Sequence, residues 1–333
     1  MLFKPTALLS LGLLSSLTTV LATPAPRQAS YHIAVADQNT KTIRVFPRDS
    51  KKWDDDAIYW SFTADPPFWN RDWANLDEIK FRRTANHGWI ALVSASGGKA
   101  GIINVTNEKR KTDLDDVMWQ ATPEGNPHSI ERIPHIGAIV VASSTPGKLT
   151  VYVPQDTDKP VDDFGNIKTS KYKYDVPGAH GVLWDPQGSD DVSKGFLWVT
   201  ARTYLIKYSV SGKGPDIKLN EEEKIEFPGK GLGHDLMPDY TDPNVLLMTD
   251  TYGAYAYNTK TEKWTTLRKE RKLKSIARHA NGEYVWIKGD EGDLGQYVYV
   301  SKNIADTDNT DAERWGWKDA RFYKAHIYTP DFE

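Results

Sequence analysis

The chain contains no cysteine. Disulfide frameworks, zinc–thiolate sites and cysteine nucleophiles are therefore excluded. With 333 residues it can bury a core large enough to do without disulfides, even in an oxidising compartment. Beyond its N-terminus it has no apolar run near the ~18 residues that a membrane span needs. No segment carries a convincing amphipathic helical period. The net charge of −3 lacks the basic excess of a nucleic-acid binder. No Gly-x-Ser-x-Gly elbow is present, which argues against a serine enzyme of the α/β-hydrolase type. Neither a nucleic acid nor a membrane is expected as a partner.

What is present begins with "MLFKPTALLSLGLLSSLTTVLA". Lys4, an apolar run and the small residues Val20 and Ala22 match a secretory leader cleaved after Ala22. This predicts three parts: a signal peptide over 1–22, a short tail over 23–29, and one domain over 30–333. The expected location is extracellular, and the expected state is a monomer. Asn104-Val105-Thr106 is the one glycosylation sequon. Tryptophan and tyrosine are plentiful, at 12 and 16. They can pack between sheets or stack on sugars, and composition does not separate the two uses.

Short apolar runs broken by Gly, Pro, Asn and Asp fill the rest of the chain, the pattern of many short strands. They fall into units such as "HSIERIP", "AIVVASS", "KLTVYVP", "KYKYDVP" and "HGVLWDP", "FLWVTAR", "YLIKYSV", "EKIEFP". The period of ~40–54 residues is that of propeller blades. One four-stranded unit cannot bury both of its faces, whereas units stacked radially around a channel can. The expected fold is an all-β propeller. Six blades are counted, with a degenerate seventh possible within 306–318. The first unit lacks its innermost strand, which "RFYKAHIYTP" near the C-terminus is expected to supply.

With strands a to d named outward from the channel, the a strands begin at Asp77, His128, His180, His234 and Lys274. These side chains should ring one channel mouth. The ends of the b strands share that face and bring Ser144, Arg202 and Tyr204, Tyr252, and Lys288, and Asn126 stands in the loop before His128. The loop "DPPFWNRDW" adds Trp69, Arg71 and Trp73 to the rim. His87, His135, His279 and Arg278 fall at a-to-b turns on the opposite face and are expected to be ordinary surface residues. Propeller histidines also tie blades together, but convergence of three of them with Lys, Arg and Tyr in a concavity is the usual sign of a site.

Imidazoles, phenols and cations with few carboxylates do not suit a glycoside hydrolase, which normally uses two flanking carboxylates. Asp37, Asp77, Asp250 and Asp290 are available, but the repeat singles out no pair. The inventory suits β-elimination from a uronic acid instead. A cation held against the carboxylate tolerates the developing dianion. A His or Tyr removes the C5 proton, and another group protonates the leaving oxygen. Arg202 is the expected neutraliser, with Lys274 and Lys288 as alternates. His128 or His180 is the expected base, and Tyr204 or Tyr252 the expected donor or orienting partner, with His234 beside them.

The units "NPHSIERIP…VVASS…LTVYVP", "AHGVLWDP…LWVTAR" and "GLGHDLMPD" resemble a fungal secreted family of β-propeller polysaccharide lyases that act at a rhamnosyl-glucuronate linkage. The resemblance covers roughly Ser30 to Phe332. It implies a rhamnose-α-1,4-glucuronate lyase activity on gum arabic and related arabinogalactans, so a uronic-acid-containing plant polysaccharide as partner. It also relates the fold to seven-bladed lyases. No cofactor is required by this reading. Two alternatives stay open: an oligouronide lyase using a divalent metal on His128, His180 and His234, and a sugar-binding propeller without catalysis.

Overall fold

A computed structural model describes residues 31–64, 72–105, 110–290 and 292–329. The expected leader and tail, Trp69, Arg71 and Thr106 of the sequon lie outside the described residues. The sheets form a propeller of six blades. Among the described residues the helical segments are short 3-10 turns, and no helix is long and apolar enough to cross a membrane.

Blades 2, 4, 5 and 6 are antiparallel four-stranded meanders with innermost strands Leu76–Thr84, Ala179–Asp185, Gly233–Pro238 and Leu273–Arg278. In blade 3, which starts at Pro127–Ile133, the expected outer strand at "KYKYDVP" is split. Ile167–Thr169 pairs one end of strand Lys148–Pro154 and Tyr174–Asp175 pairs the other. Blade 1 is closed by the two chain ends. Phe322–Ile327 supplies its innermost strand, with Ile33 opposite Ile327, Ala34 opposite His326 and Val35 opposite Ala325. The closure therefore occurs where the incomplete first unit predicts it. Segment 306–318 forms no seventh blade; its Glu313–Trp315 is the outermost strand of blade 6. Blade 1 also gains an outer strand that the sequence does not announce, Lys111–Thr112, parallel to Trp60–Thr63.

The continuous apolar runs follow from the way blades stack. Successive residues of a strand point to opposite faces, and both faces of a blade are covered. In Phe196–Ala201, Leu197 and Val199 enter the cluster shared with blade 3, while Trp198 enters the one shared with blade 5. Each of the six interfaces between blades is filled by its own apolar cluster. Trp73 belongs to one of these. It is only 2% exposed, between blades 1 and 2, where its ring closes on Gly101. It is a core residue rather than part of the rim, because the loop before Asp77 turns inward at that point.

The channel is filled. Lys324 of the closing strand places Nζ 3.0 Å from Glu78 Oε2 of blade 2 and 3.1 Å from Asp235 Oδ1 of blade 5. His326 sets Nε2 3.0 Å from Asp235 Oδ2 and Nδ1 2.8 Å from the Ile79 carbonyl. Both ring nitrogens face acceptors, so the imidazole is held as a doubly donating cation. Burial alone would lower its pKa, but Asp235 and Glu78 outweigh that and push it up to about 9. Lys80 joins from blade 2, donating to Ser129 Oγ at 2.9 Å and to the Val182 carbonyl at 2.6 Å. Glu78, Asp235, Lys324 and His326 have no exposed surface.

Removing one member of such a network leaves a buried charge uncompensated. Lys324→Met is expected to destabilise the protein by about 3–5 kcal/mol, measured by denaturant unfolding. Adding Glu78→Gln and Asp235→Asn should recover part of that loss. A Lys324→Met protein as stable as the parent would show that the network does not hold the ring closed.

Candidate functional site

The innermost strands place one side chain each at the channel mouth. Asp77, His128, His180, His234 and Lys274 stand at the second residue of their strands, as their serial positions predict. The sixth place belongs to Tyr323, the second residue of the closing strand. Sequence reasoning used this strand for closure without extending the alignment to it. Setting Phe322-Tyr323-Lys324 under Leu273-Lys274-Ser275 would have found the phenol.

The members touch. His128 and His180 stack, with ring centroids 4.4 Å apart and planes 8° from parallel. His180 meets His234 edge to face at 5.4 Å. Blades 4 and 5 approach closely here because residue 181 is glycine: a Cβ at Gly181 would lie 2.8 Å from Cβ of Leu236. His128 Nδ1 lies 3.0 Å from Asp77 Oδ2, and Asp77 Oδ1 accepts from Gln38 Nε2 at 2.6 Å. The Asp77 carboxylate thus faces the Nδ1 edge of His128. Asn126 Nδ2 sits 3.4 Å from His128 Nε2, while Asn126 Oδ1 accepts from Ser144 Oγ at 3.1 Å. Tyr323 OH is 3.5 Å from His128 Nδ1.

The electrostatics of the ring favour the neutral form of two of its imidazoles, His180 and His234. Burial, then the neighbouring His128 and His234, holds His180 well below its ordinary value. Burial, then Lys274, takes His234 down to about 3, and its Nδ1 is buried without a hydrogen-bond partner. Burial and the charge of Asp77 keep the Tyr323 phenol protonated far above its ordinary range. Burial lowers Lys274, whose Nζ lies 3.8 Å from Asp293.

Other expected site residues lie elsewhere. Arg202 and Tyr204 line a pocket of about 150 Å³ between blades 3 and 4 that contains no ring residue. The turn at the end of the b strand carries them outward, away from the channel. Tyr252 is exposed, with Arg271 over its ring at 5.0 Å. Lys288 pairs with Glu270. Of the spare carboxylates, Asp37 accepts from Arg321 N at 2.9 Å and Asp250 from Gly231 N, Tyr252 N and Gly253 N, so both are spent on turns. On the far face, His87 stacks on Phe164, His279 stacks on Tyr31 and Arg278 pairs with Asp239, which are structural contacts.

His128 and His180 stack while His234 meets His180 edge to face, and the three do not bring ligand nitrogens within 4.8 Å of one another. Among the described residues, one trio places its ligand atoms within 4.8 Å of one another: Glu78, Asp235 and His326. Lys324 already bridges its two carboxylates, and both nitrogens of His326 are engaged. That trio fits an internal ammonium better than a metal ion.

Fold and mouth together define a six-bladed β-propeller with a titratable ring above a plugged channel. The chain belongs to a family described as a family of unknown function (DUF6528), whose model matches residues 24–288. No curated protein matches it. Among solved structures it is similar to one described as a nidogen/laminin complex, at 12% identity and a TM-score of 0.55, covering 90% of this chain and 98% of that one. It is also similar to a functionally unknown protein from Desulfotomaculum acetoxidans DSM 771, at 9% identity and a TM-score of 0.46, covering 82% and 92%. At such identities the first likeness speaks to fold alone.

Two of the shifted histidines, His326 and His234, act on stability in opposite directions. Between an unfolded value near ~6.5 and about 9, the folded protein holds the His326 proton and the unfolded chain releases it. Stability from His326 is full below that window and is lost as pH rises through it. His234 resists the proton that the unfolded chain takes up, so stability falls as pH drops below ~6.5 toward about 3. Melting temperature is expected to peak between pH ~6 and ~7, and His326→Gln should flatten the alkaline decline. An alkaline decline of equal size in both proteins would remove His326 from the account.

Proposed function

We infer that the protein is a secreted polysaccharide lyase that cleaves the bond to O4 of a glucuronate by β-elimination, with a rhamnosyl-glucuronate cap of a plant arabinogalactan as its substrate. The observation that carries this reading is the ring itself. One ammonium, three imidazoles and one phenol meet at the mouth; of the carboxylates beside them, Asp77 faces His128 and Asp293 faces Lys274. The paired carboxylates of a glycoside hydrolase have no counterpart in that ring.

In this reading Lys274, rather than Arg202, lies against the substrate carboxylate and stabilises the charge that develops on it. Burial lowers its pKa, but the uronate would restore the charged form. His128, oriented by Asp77, takes the C5 proton on Nε2. The electron pair forms the C4=C5 bond as the C4–O4 bond breaks. Tyr323, a protonated phenol, donates to O4, and rhamnose leaves as the free sugar. His180, neutral and stacked on His128, keeps that imidazole in place, and His234 presents a second uncharged edge to the sugar.

Incubation with gum arabic tests the reading. Free rhamnose and a conjugated unsaturated uronate are expected in equal amounts. Lys274→Ala should cost about 3 kcal/mol of transition-state stabilisation. His128→Ala should lower kcat by ~10²–10⁴, with melting temperature little changed. If the histidine variants melt lower yet turn over normally per folded molecule, the ring is scaffolding. Absence of both products with uronate-containing polymers would contradict the activity.

A further inference from the structure

The pocket holding Arg202 is not used by this mechanism. It lies on the same face, in the cleft between blades 3 and 4. Its floor is formed by Tyr204 and Tyr208, and its walls carry Arg202, Lys224, Asp175 and Glu221. The charges are not balanced within it. Asp175 is taken by Lys148, and Glu221 Oε2 faces Tyr208 OH at 3.5 Å. Arg202 and Lys224 are exposed, and among the described residues neither forms an ion pair. Lys224 Nζ instead rests 4.6 Å above the Tyr204 ring, leaving its remaining donors open.

This pocket adjoins the mouth ring. The Gly178 carbonyl accepts from Arg202 N at 3.2 Å and lies 3.3 Å from His180 Nδ1. The Arg202 backbone and the His180 imidazole are therefore two hydrogen-bond lengths apart at most, about the span of one pyranose. Arg202 holds φ 49°, a left-handed conformation that L side chains rarely adopt. Its stem lies over Gly178, where a Cβ would come within 2.8 Å of Arg202 Cγ. The turn thus presents, beside the ring, an exposed guanidinium without an ion-pair partner among the described residues.

We propose that this pocket is a second sugar subsite that takes a carboxylate-bearing pyranose, held by Arg202 and Lys224, beside the sugar seated in the ring. The planar fork of Arg202 suits a bidentate carboxylate. The assignment rests on the lyase reading for the class of ligand, but its test needs no turnover. D-Glucuronate is titrated against the Lys274→Ala protein, in which the ring cation is gone, and against Lys274→Ala with Arg202→Ala and Lys224→Ala added. Binding is followed by saturation-transfer NMR, with D-glucose as the neutral control. The first protein is expected to bind glucuronate at least fivefold more tightly than glucose, and the added substitutions should abolish that preference. Equal glucuronate binding by the two proteins, or no preference for glucuronate in the first, would overturn the subsite. Loss of the preference in a protein that cleaves no uronan would leave the subsite standing and dismiss the lyase chemistry alone.

Discussion

Everything at the mouth depends on the Lys324 ammonium clamped between Glu78 and Asp235. The lysine arrives on the last strand, and the two carboxylates belong to blades on different sides of the channel. One contact thus joins the closing strand to blades 2 and 5. A buried carboxylate is costly without a cation, and a buried ammonium is costly without an anion. The arrangement is therefore tolerable only when the ring is closed. The apolar clusters between blades supply the bulk of the stabilisation, but apolar contact is non-directional. The charged contacts in the channel differ at each blade, so they are suited to setting which strand lies where.

The same charges prepare the ring above them. Lys324 contributes to holding His180 and His234 neutral, after burial and their nearer neighbours. Asp235 and Glu78 add to the effect of Asp77 in keeping Tyr323 protonated. The plug thus favours the uncharged forms of His180, His234 and Tyr323 together in one concavity. Plugging the channel also leaves the mouth as a dish with a floor, open from one side.

Fold and ring differed in how far the sequence revealed them. Strands are short, bounded by Gly, Pro and Asp, and recur with one frame, so blades and the closure near Ile33 and Ile327 were legible. His128, His180 and His234 were legible for the same reason, since each stands at one place in its unit. Tyr323, Lys324 and His326 were hidden because their strand is separated from the rest of its blade by nearly the whole chain. Asp77 was placed correctly, but its approach to His128 depends on how the innermost strands lean into the channel, which a repeat does not encode. Arg202 and Tyr204 were drawn to the mouth by topology alone. Position along a strand fixes the face a residue reaches, not its distance from the axis. Trp73 shows the same limit, since an aromatic in a loop reads alike whether it stacks on sugar or closes a core.

The central claim is that a uronate sits in the mouth ring with its carboxylate on Lys274 and its C5 hydrogen toward His128. A crystal structure of the Tyr323→Phe protein with a glucuronate-capped oligosaccharide tests this most directly. The account predicts a carboxylate oxygen within hydrogen-bond distance of Lys274 Nζ and C5 facing His128 Nε2. A sugar bound on the rim or the far face, with the ring untouched, would contradict it.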